Sequence, residues 1–213
     1  MKTDAVLLDL DGTLWDTVAA VTASWQQVVD KYPGLRDPLS CAELRRCMGF
    51  NMDDIGAMIF PNVEEKRRTE LLDECVAAEH AYLRQIGASL FPGVRETLPI
   101  LAEKCKLAII SNCESGYIEC FWEITGLGRY FSDSECYGDT GLEKGANIRA
   151  VAERLSAERP VYVGDIRKDQ LAAEEAEVPY IYAAYGFGEG RMRPTHWQAK
   201  IDSFAELADI VNK

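Results

Sequence analysis

The stretch AVLLDLDGTLWD, residues 5–16, predicts a buried strand that ends in two carboxylates. Residues 5–8 are all apolar, which is typical of a strand that is covered on both faces of a sheet. Asp9 and Asp11 then interrupt the apolar run, and a buried carboxylate is costly unless something compensates for its charge. Side chains two residues apart in an extended chain point to the same face, so both carboxylates can converge on one cation.

Two other structures can carry a bare Asp-x-Asp pattern. A polar strand end followed by a glycine turn is the simpler one, and it implies no site. A calcium-binding EF-hand loop is the other, but it needs Gly at its sixth position and Glu at its twelfth. Leu14 and Ala20 occupy those positions here, so the sequence excludes an EF-hand.

The remaining chain divides into a helical segment and an alternating segment. Apolar residues recur at helical spacing through residues 17–87, without a β-rich run. We predict helices at about 18–32, 42–48, 52–59, 63–86, 94–104, 115–125, 144–155, 168–176 and 204–212, and further strands at 106–110, 131–137, 160–163 and 179–185. This alternation predicts an α/β fold, a doubly wound, mostly parallel (Rossmann-like) sheet. The predicted core covers 1–16 and 88–213, and an α-helical cap, residues 17–87, is inserted into it.

Polar side chains follow three of the predicted strands where each strand ends. Asp9 and Asp11 follow the first, Ser111 and Asn112 the second, and Asp165 the third. Each alone is explained by a helix N-cap. All of them fall on the carboxyl edge of a parallel sheet, where ligands bind in such folds. Together they predict a binding site at this edge.

These residues resemble the four motifs of the haloacid dehalogenase superfamily of hydrolases. The motifs stand in order along the chain as Asp9-x-Asp11-Gly12-Thr13, Ser111-Asn112, Lys144, and Gly164-Asp165 with Asp169. The helical insert resembles the cap of the phosphoglycolate phosphatase-like branch. The resemblance therefore covers the whole chain and implies hydrolysis of a phosphate ester.

The resemblance also implies a role for each acid. Asp9 is expected to be the nucleophile that takes the phosphoryl group as an aspartyl phosphate, and Asp11 to act as general acid and base. Mg²⁺ is the expected cofactor. It would lie between Asp9, the main-chain carbonyl of Asp11 and Asp165, with Asp169 in or near the second layer of contacts.

The resemblance assigns phosphate binding to Ser111, Asn112, Lys144 and Thr13. Ser111 and the amides after it are expected to hold the phosphate at a helix start. Asn112 would orient Asp9 or a substrate oxygen. Thr13 would position the phosphate or the metal loop, or serve simply as a turn residue.

Lys144 stands out for a physical reason as well. A cation at a helix N-terminus is unfavourable with the helix dipole, so local stability does not explain it. Compensation of charge at Asp9 and at the transferring phosphoryl group accounts for it. Pairing with Glu143 or with other surface acids is the alternative.

The cap is expected to set the substrate, since it must exclude water and recognise the leaving group. Arg45, Arg46, Phe50 and Asn51 occupy the part of the insert where relatives place specificity contacts. Solvated helix charges are an equal alternative for the two arginines. Gly145-Ala146 replaces the proline that commonly follows the third-motif lysine in this branch, which leaves the substrate open.

The predicted function is a Mg²⁺-dependent phosphatase that acts on a small phosphomonoester. Dehalogenases of the superfamily lack an acid at the position of Asp11, so that residue favours ester hydrolysis. A β-phosphoglucomutase-like phosphotransferase shares every catalytic residue and remains the alternative. A non-catalytic interaction protein with this fold is a third, less favoured hypothesis.

Composition limits the partners. The net charge of −12 disfavours nucleic acid, whereas a small phosphorylated metabolite is compatible with it. The N-terminus begins directly with the first strand, and no apolar run approaches the about 18 residues of a membrane span, so we expect a cytoplasmic protein without membrane contact. Seven cysteines without a Cys-x-x-Cys pair, and only two histidines, predict reduced thiols and no zinc site. The oligomeric state is not determined by the sequence.

Overall fold

The computed structural model of the protein describes residues 2–211. Its strands are β1 (Ala5–Leu8), β2 (Trp15–Asp16), β3 (Ser89–Leu90), β4 (Lys106–Ser111), β5 (Asp133–Cys136), β6 (Pro160–Gly164), β7 (Tyr180–Ala183) and β8 (Ala199–Ile201). Its helices are α1 (Val18–Val29), α2 (Cys41–Cys47), α3 (Met52–Ile59), α4 (Glu65–Ile86), α5 (Val94–Ala102), α6 (Tyr117–Thr125), α7 (Tyr137–Thr140), α8 (Lys144–Arg154), α9 (Arg167–Glu175) and α10 (Leu207–Val211).

A six-stranded parallel sheet organises the core. Its strand order is β5-β4-β1-β6-β7-β8, so the first strand lies between the two other strands that end in polar residues. Leu8 pairs with Ile109 of β4 on one side and with Val163 of β6 on the other. This register aligns the carboxyl ends of the three strands.

Strand β1 is covered on both faces, as its apolar run predicts. Val6 and Leu8 belong to an apolar cluster that includes residues of α5, α6 and α10. Ala5 and Leu7 belong to the opposite cluster, with residues of α8 and α9. Successive side chains of a strand point to opposite faces, which explains this division. The doubly wound α/β prediction is confirmed.

Helices α1 to α4 form a separate apolar cluster above the sheet. Trp25, Leu44, Phe60 and Leu71 are buried within it, and α1 packs along α4. The chain enters the insert through β2 and leaves it through β3, which pair in antiparallel fashion. Entry and exit therefore lie side by side, as a hinge between two parts requires. The boundaries 17–87 of the cap stay a prediction.

The structure differs from the sequence prediction mainly in short elements. Strand β8, the β2–β3 pair and helix α7 were not predicted, because runs of two to four residues carry no readable periodicity. The predicted strand 131–137 ends earlier, where α7 begins. The predicted final helix starts with a 3₁₀ turn, Phe204–Glu206, and its last predicted residue, 212, lies outside the described residues. Other helix ends differ by a few residues.

Two further expectations concern cysteines and membranes. All seven cysteines are free, in agreement with the expected thiols. None of the helices within residues 2–211 is long and apolar enough to cross a bilayer.

Candidate active site

Three adjacent strand ends bring the predicted polar residues together. Asp9 follows β1, Ser111 ends β4, and Asp165 follows β6. All three are buried at this edge of the sheet, with 2%, 4% and 1% of their surface exposed. The parallel register of β4, β1 and β6 therefore produces the juxtaposition that the sequence pattern predicts.

A cluster of three buried carboxylates lies at the centre of this edge. One oxygen from each of Asp9, Asp165 and Asp169 lies within 4.8 Å of the others. Lys144, at the first turn of α8 and only 3% exposed, donates to Asp9 Oδ1 at 2.9 Å and to Asp169 Oδ1 at 2.7 Å. Lys144 thus pairs with buried acids of the site, which contradicts the alternative of a surface pair with Glu143.

The cluster is short of positive charge. Burial raises the pKa of Asp9 to about 7, and the nearby charge of Asp169 adds to this, while Lys144 opposes it. Burial and the charges of Asp169 and Asp9 also raise the pKa of Asp165 well above its usual range. Burial would lower the pKa of Lys144, but the surrounding carboxylates raise it above its usual value, so it stays charged. Among the described residues, the Lys144 ammonium is thus the one positive side chain in contact with this cluster of three carboxylates.

The oxygens of this cluster fit a divalent cation. Asp9 Oδ2 is buried and has no hydrogen-bond partner within residues 2–211. Carboxylate oxygens are the ligands that Mg²⁺ prefers, and a buried polar atom without a partner calls for one. Asp165 Oδ2 accepts a hydrogen bond from the amide of Phe187 at 2.5 Å, which fixes its orientation.

Gly12 is required for this arrangement. Its φ of +86° is in the left-handed region, and a Cβ atom there would lie 2.2 Å from Asp165 Oδ2. Only a residue without a side chain lets the loop after β1 approach Asp165 so closely. The close approach to Asp165 of the fourth motif thus explains why the first motif has glycine at position 12.

Asp169 supports the cluster from behind. Its Oδ2 accepts hydrogen bonds from the amides of Asp165 and Ile166 at 3.1 and 3.0 Å, and its Oδ1 accepts from Lys144. Both oxygens are therefore already engaged. The place of Asp169 in or near the second layer around the cation stays a prediction.

Asp11 is held by two hydroxyl groups that the sequence did not reveal. Thr17 Oγ1 donates to Asp11 Oδ1 at 2.7 Å, and the Tyr117 hydroxyl donates to the same oxygen at 3.0 Å. Burial raises the pKa of Asp11 to about 6, although these hydrogen bonds lower it. A carboxyl group with this pKa exists in both protonation states near neutral pH.

The predicted phosphate-binding residues lie around the cluster. Thr13 Oγ1 is buried and lacks a hydrogen-bond partner among the described residues. Ser111 Oγ accepts a hydrogen bond from the amide of Cys113 at 3.2 Å. Asn112 Nδ2 instead donates to the carbonyl of Gly49 in the helical insert, at 2.9 Å. Asn112 therefore ties the insert to the core.

A cavity of about 50 Å³ lies between the sheet edge and the insert. Its walls come from both parts of the chain and contain more apolar than polar residues. They are Asp9, Asp11, Val21, Trp25, Leu44, Cys47, Met48, Gly49, Phe50, Met52, Ile55, Glu79, Ser111, Asn112, Cys113, Glu114 and Tyr117. The two catalytic candidates, Asp9 and Asp11, thus line a space of limited size between the core and the insert.

One of the four predicted specificity residues lines this cavity, namely Phe50. Arg45 lies outside it, 3.7 Å from the Asp16 carboxylate, and Arg46 is exposed. Asn51 caps α3 by accepting a hydrogen bond from the main chain of that helix. The specificity contacts predicted for Arg45, Arg46 and Asn51 are therefore not made with this cavity, since their side chains serve the surface or a helix end.

Glu79 is a cavity residue that the sequence prediction missed. It is 6% exposed on α4, and the indole nitrogen of Trp25 donates to its Oε2 at 2.6 Å. Burial, followed by the charge of Glu114, raises its pKa well above the usual range. Glu79 lies four residues after Cys75 and four before Leu83, which are buried on the same helix. An acid on this apolar stripe was the signal for it.

Comparison with known sequences agrees with these motifs. Residues 6–183 match the family described as haloacid dehalogenase-like hydrolase. A phosphoglycolate phosphatase of Xanthomonas campestris pv. campestris (strain 8004) is 29% identical, over 92% of this chain and 90% of that protein. A phosphoglycolate phosphatase of Vibrio parahaemolyticus is 27% identical, over 97% of this chain and 95% of that protein.

Solved structures show the same fold. A predicted phosphoglycolate phosphatase from Haemophilus somnus 129PT superposes with a TM-score of 0.87 at 19% identity, covering 99% of this chain and 98% of that one. CbbY from Rhodobacter sphaeroides, solved in complex with phosphate, gives a TM-score of 0.78 at 20% identity, with 96% of both chains covered. With the family match extending over most of its length, this chain belongs to the haloacid dehalogenase-like hydrolases.

Proposed function

We propose that this protein is a Mg²⁺-dependent phosphatase that hydrolyses a small phosphomonoester through an aspartyl phosphate on Asp9. The observation that carries the proposal is the state of the Asp9 carboxylate. Lys144 holds its Oδ1, while its Oδ2 is buried without a hydrogen-bond partner within residues 2–211. Such an oxygen is costly unless a cation or an electrophilic atom meets it. Relatives named phosphoglycolate phosphatase support a phosphate ester as the molecule whose phosphorus the Asp9 carboxylate attacks.

The reaction has two displacements at phosphorus. In the first, an Asp9 oxygen forms a bond to phosphorus, the bond to the ester oxygen breaks, and Asp11 gives its proton to the leaving alcohol. In the second, water attacks phosphorus, Asp11 takes the proton of that water, and Asp9 is released with inorganic phosphate. The pKa of Asp11, raised by burial to about 6, suits both proton transfers.

Asp9, Asp165 and the main-chain carbonyl of Asp11 would hold the cation, and Asp169 would orient Lys144 and the Asp165 loop. Bound Mg²⁺ supplies positive charge that lets an anionic phosphate approach the carboxylates. Lys144 contributes the only positive side chain that contacts this cluster among the described residues. Its ammonium would stabilise negative charge on the transferring group.

The phosphate would be held by Thr13, Ser111 and the amides after it. The unpartnered Thr13 hydroxyl supports its part in this role. Asn112 already donates to Gly49, so its contribution would be to hold the insert closed over the bound phosphate. A closed insert excludes water from the first displacement.

The proposal is tested by phosphate release from small phosphomonoesters in the presence of Mg²⁺. We expect release that stops with EDTA and returns with added Mg²⁺, and none from the Asp9→Asn variant, whose amide cannot attack phosphorus. Acid quenching followed by mass spectrometry should find a phosphoryl group on Asp9 of the wild-type protein. Full activity of Asp9→Asn would refute the mechanism. A long-lived phosphoenzyme that transfers to a sugar phosphate would instead support the mutase alternative.

A further inference from the structure

The cavity above Asp9 and Asp11 contains acids but no basic side chain. Four carboxylates line it, those of Asp9, Asp11, Glu79 and Glu114. None of the described lining residues is lysine, arginine or histidine. An anion buried in such a cavity would have no charge partner from the insert, and an unpaired buried charge is strongly unfavourable.

Lys144 contacts the cavity residue Asp9 from the core, and three other basic residues close to lining residues are engaged elsewhere. His80 contacts Glu114 at 3.1 Å. Arg45 contacts the Asp16 carboxylate outside the cavity. Lys168 Nζ lies over the ring of Phe50, 3.8 Å from the ring centroid, and pairs with Asp54. None of these three basic side chains lines the cavity.

Glu79 differs from the other three acids, because no catalytic role or basic partner accounts for it. Its hydrogen bond within the described residues comes from the neutral Trp25 indole, to Oε2. It reaches the cavity from the insert, whereas Asp11, the proposed proton donor to the leaving oxygen, reaches it from the core. A buried carboxyl group in this place offers acceptor capacity to whatever lies next to Asp11.

The volume of about 50 Å³ limits what can occupy this space. One water molecule needs about 10–15 Å³ of space that a probe occupies, so this narrow space favours a compact leaving group. Two- and three-carbon alcohols are compact in this sense.

We propose that this site selects phosphomonoesters whose small leaving group carries a hydrogen-bond donor, either a hydroxyl or an ammonium group, which pairs with Glu79. The site rejects leaving groups that carry a carboxylate. The inference rests on the proposed phosphatase function. It predicts a substrate different from that of the relatives named phosphoglycolate phosphatase. Glycolate would place its carboxylate beside Glu79, whose hydrogen-bond partner among the described residues is the neutral Trp25 indole.

Four esters with two-carbon leaving groups test the inference: 2-aminoethyl phosphate, 2-hydroxyethyl phosphate, ethyl phosphate and 2-phosphoglycolate. We expect kcat/KM for one or both donor-bearing esters to exceed that for 2-phosphoglycolate at least about tenfold, the worth of one good hydrogen bond. A higher kcat/KM for 2-aminoethyl phosphate than for 2-hydroxyethyl phosphate would indicate that Glu79 is ionised. The reverse order would indicate that Glu79 is protonated.

Two variants localise the effect. Glu79→Gln keeps the shape and an acceptor for Trp25, and should lower kcat/KM for 2-aminoethyl phosphate about tenfold while leaving ethyl phosphate unchanged. It should also raise kcat/KM for 2-phosphoglycolate. Asp73→Asn removes an exposed carboxylate from the same helix and should behave as the wild type.

Acetyl phosphate separates failure of this inference from failure of the proposed function, since its leaving group needs no partner in the insert. The inference is overturned if 2-phosphoglycolate is the best of the four esters, or if Glu79→Gln leaves the discrimination unchanged. Hydrolysis of acetyl phosphate with none of the four esters would overturn it too. No release from any compound, acetyl phosphate included, would remove the phosphatase itself and the inference with it.

Discussion

Replacing Lys144 by Met should destabilise the protein by about 3–5 kcal/mol when divalent cations are absent, the usual cost of breaking a buried ion pair by removing one partner. The ammonium lies 2.9 Å from Asp9 Oδ1 and 2.7 Å from Asp169 Oδ1, and both carboxylates are at least 98% buried. Met has a similar length without the charge. The variant therefore keeps the packing and leaves the carboxylate cluster without its cation.

Urea unfolding in EDTA measures this loss. Lys200→Met is the matched control, because Lys200 pairs with Asp202 at 2.8 Å on the surface, where such a pair contributes at most about 1 kcal/mol. The destabilisation of Lys144→Met should be smaller at about pH 5 than at about pH 8, since protonated carboxyl groups no longer repel one another. A loss below about 1 kcal/mol at pH 8, equal to the control, would refute the central place of Lys144 in the cluster.

Three further outcomes are expected. In EDTA, the free energy of unfolding should fall by several kcal/mol between about pH 4 and pH 7. The folded protein binds protons at Asp9 and Asp11 more tightly than the unfolded chain does, because their folded pKa values are about 7 and about 6. Urea titrations that showed a rise in the free energy of unfolding over this range would contradict the prediction. Gly12→Ala should abolish phosphate release, because the added Cβ atom would lie 2.2 Å from Asp165 Oδ2. The left-handed backbone at this position adds strain of about 1–3 kcal/mol. A fully active variant would show that the loop after β1 can shift to accommodate the side chain. Asp11→Asn should slow formation of the phosphoenzyme from an alkyl phosphate about 100-fold or more but from acetyl phosphate much less, since acetate leaves without a proton. Single-turnover measurements that showed equal losses in this step would argue against Asp11 as the proton donor.

The sequence reveals the catalytic edge well because its signals are local. The apolar run of β1 and the acids that follow it stand within a few residues of one another. Parallel topology then brings the ends of β4 and β6 to the same edge without any knowledge of side-chain contacts. Lys144 is predictable for a similar reason, since its place at the start of α8 conflicts with the helix dipole and calls for another explanation.

Contacts between distant parts of the chain could not be predicted from the sequence pattern. The Tyr117 hydroxyl reaches Asp11 across 106 positions, and nothing in the local pattern around Tyr117 announces it. The two-residue strands β2 and β3 exist only because the ends of the insert meet. Arg45 and Arg46 were placed near the substrate by resemblance, but neither lines the cavity, and Arg45 contacts Asp16 and the ring of Phe187 instead.

The distribution of charge separates catalysis from substrate choice in this protein. The core carries the acids that perform the proposed chemistry, and the buried ammonium of Lys144 contacts two of them. Among the described residues, no basic side chain of the core lines the cavity in which the leaving group would lie. The insert could provide one, but its contribution to the cavity is a ring of apolar side chains and the single acid Glu79. Glu79 stands where the helical pattern of α4 calls for an apolar residue, and the indole of Trp25 engages only its Oε2. Recognition of a donor on the leaving group is the role that we propose for this acid.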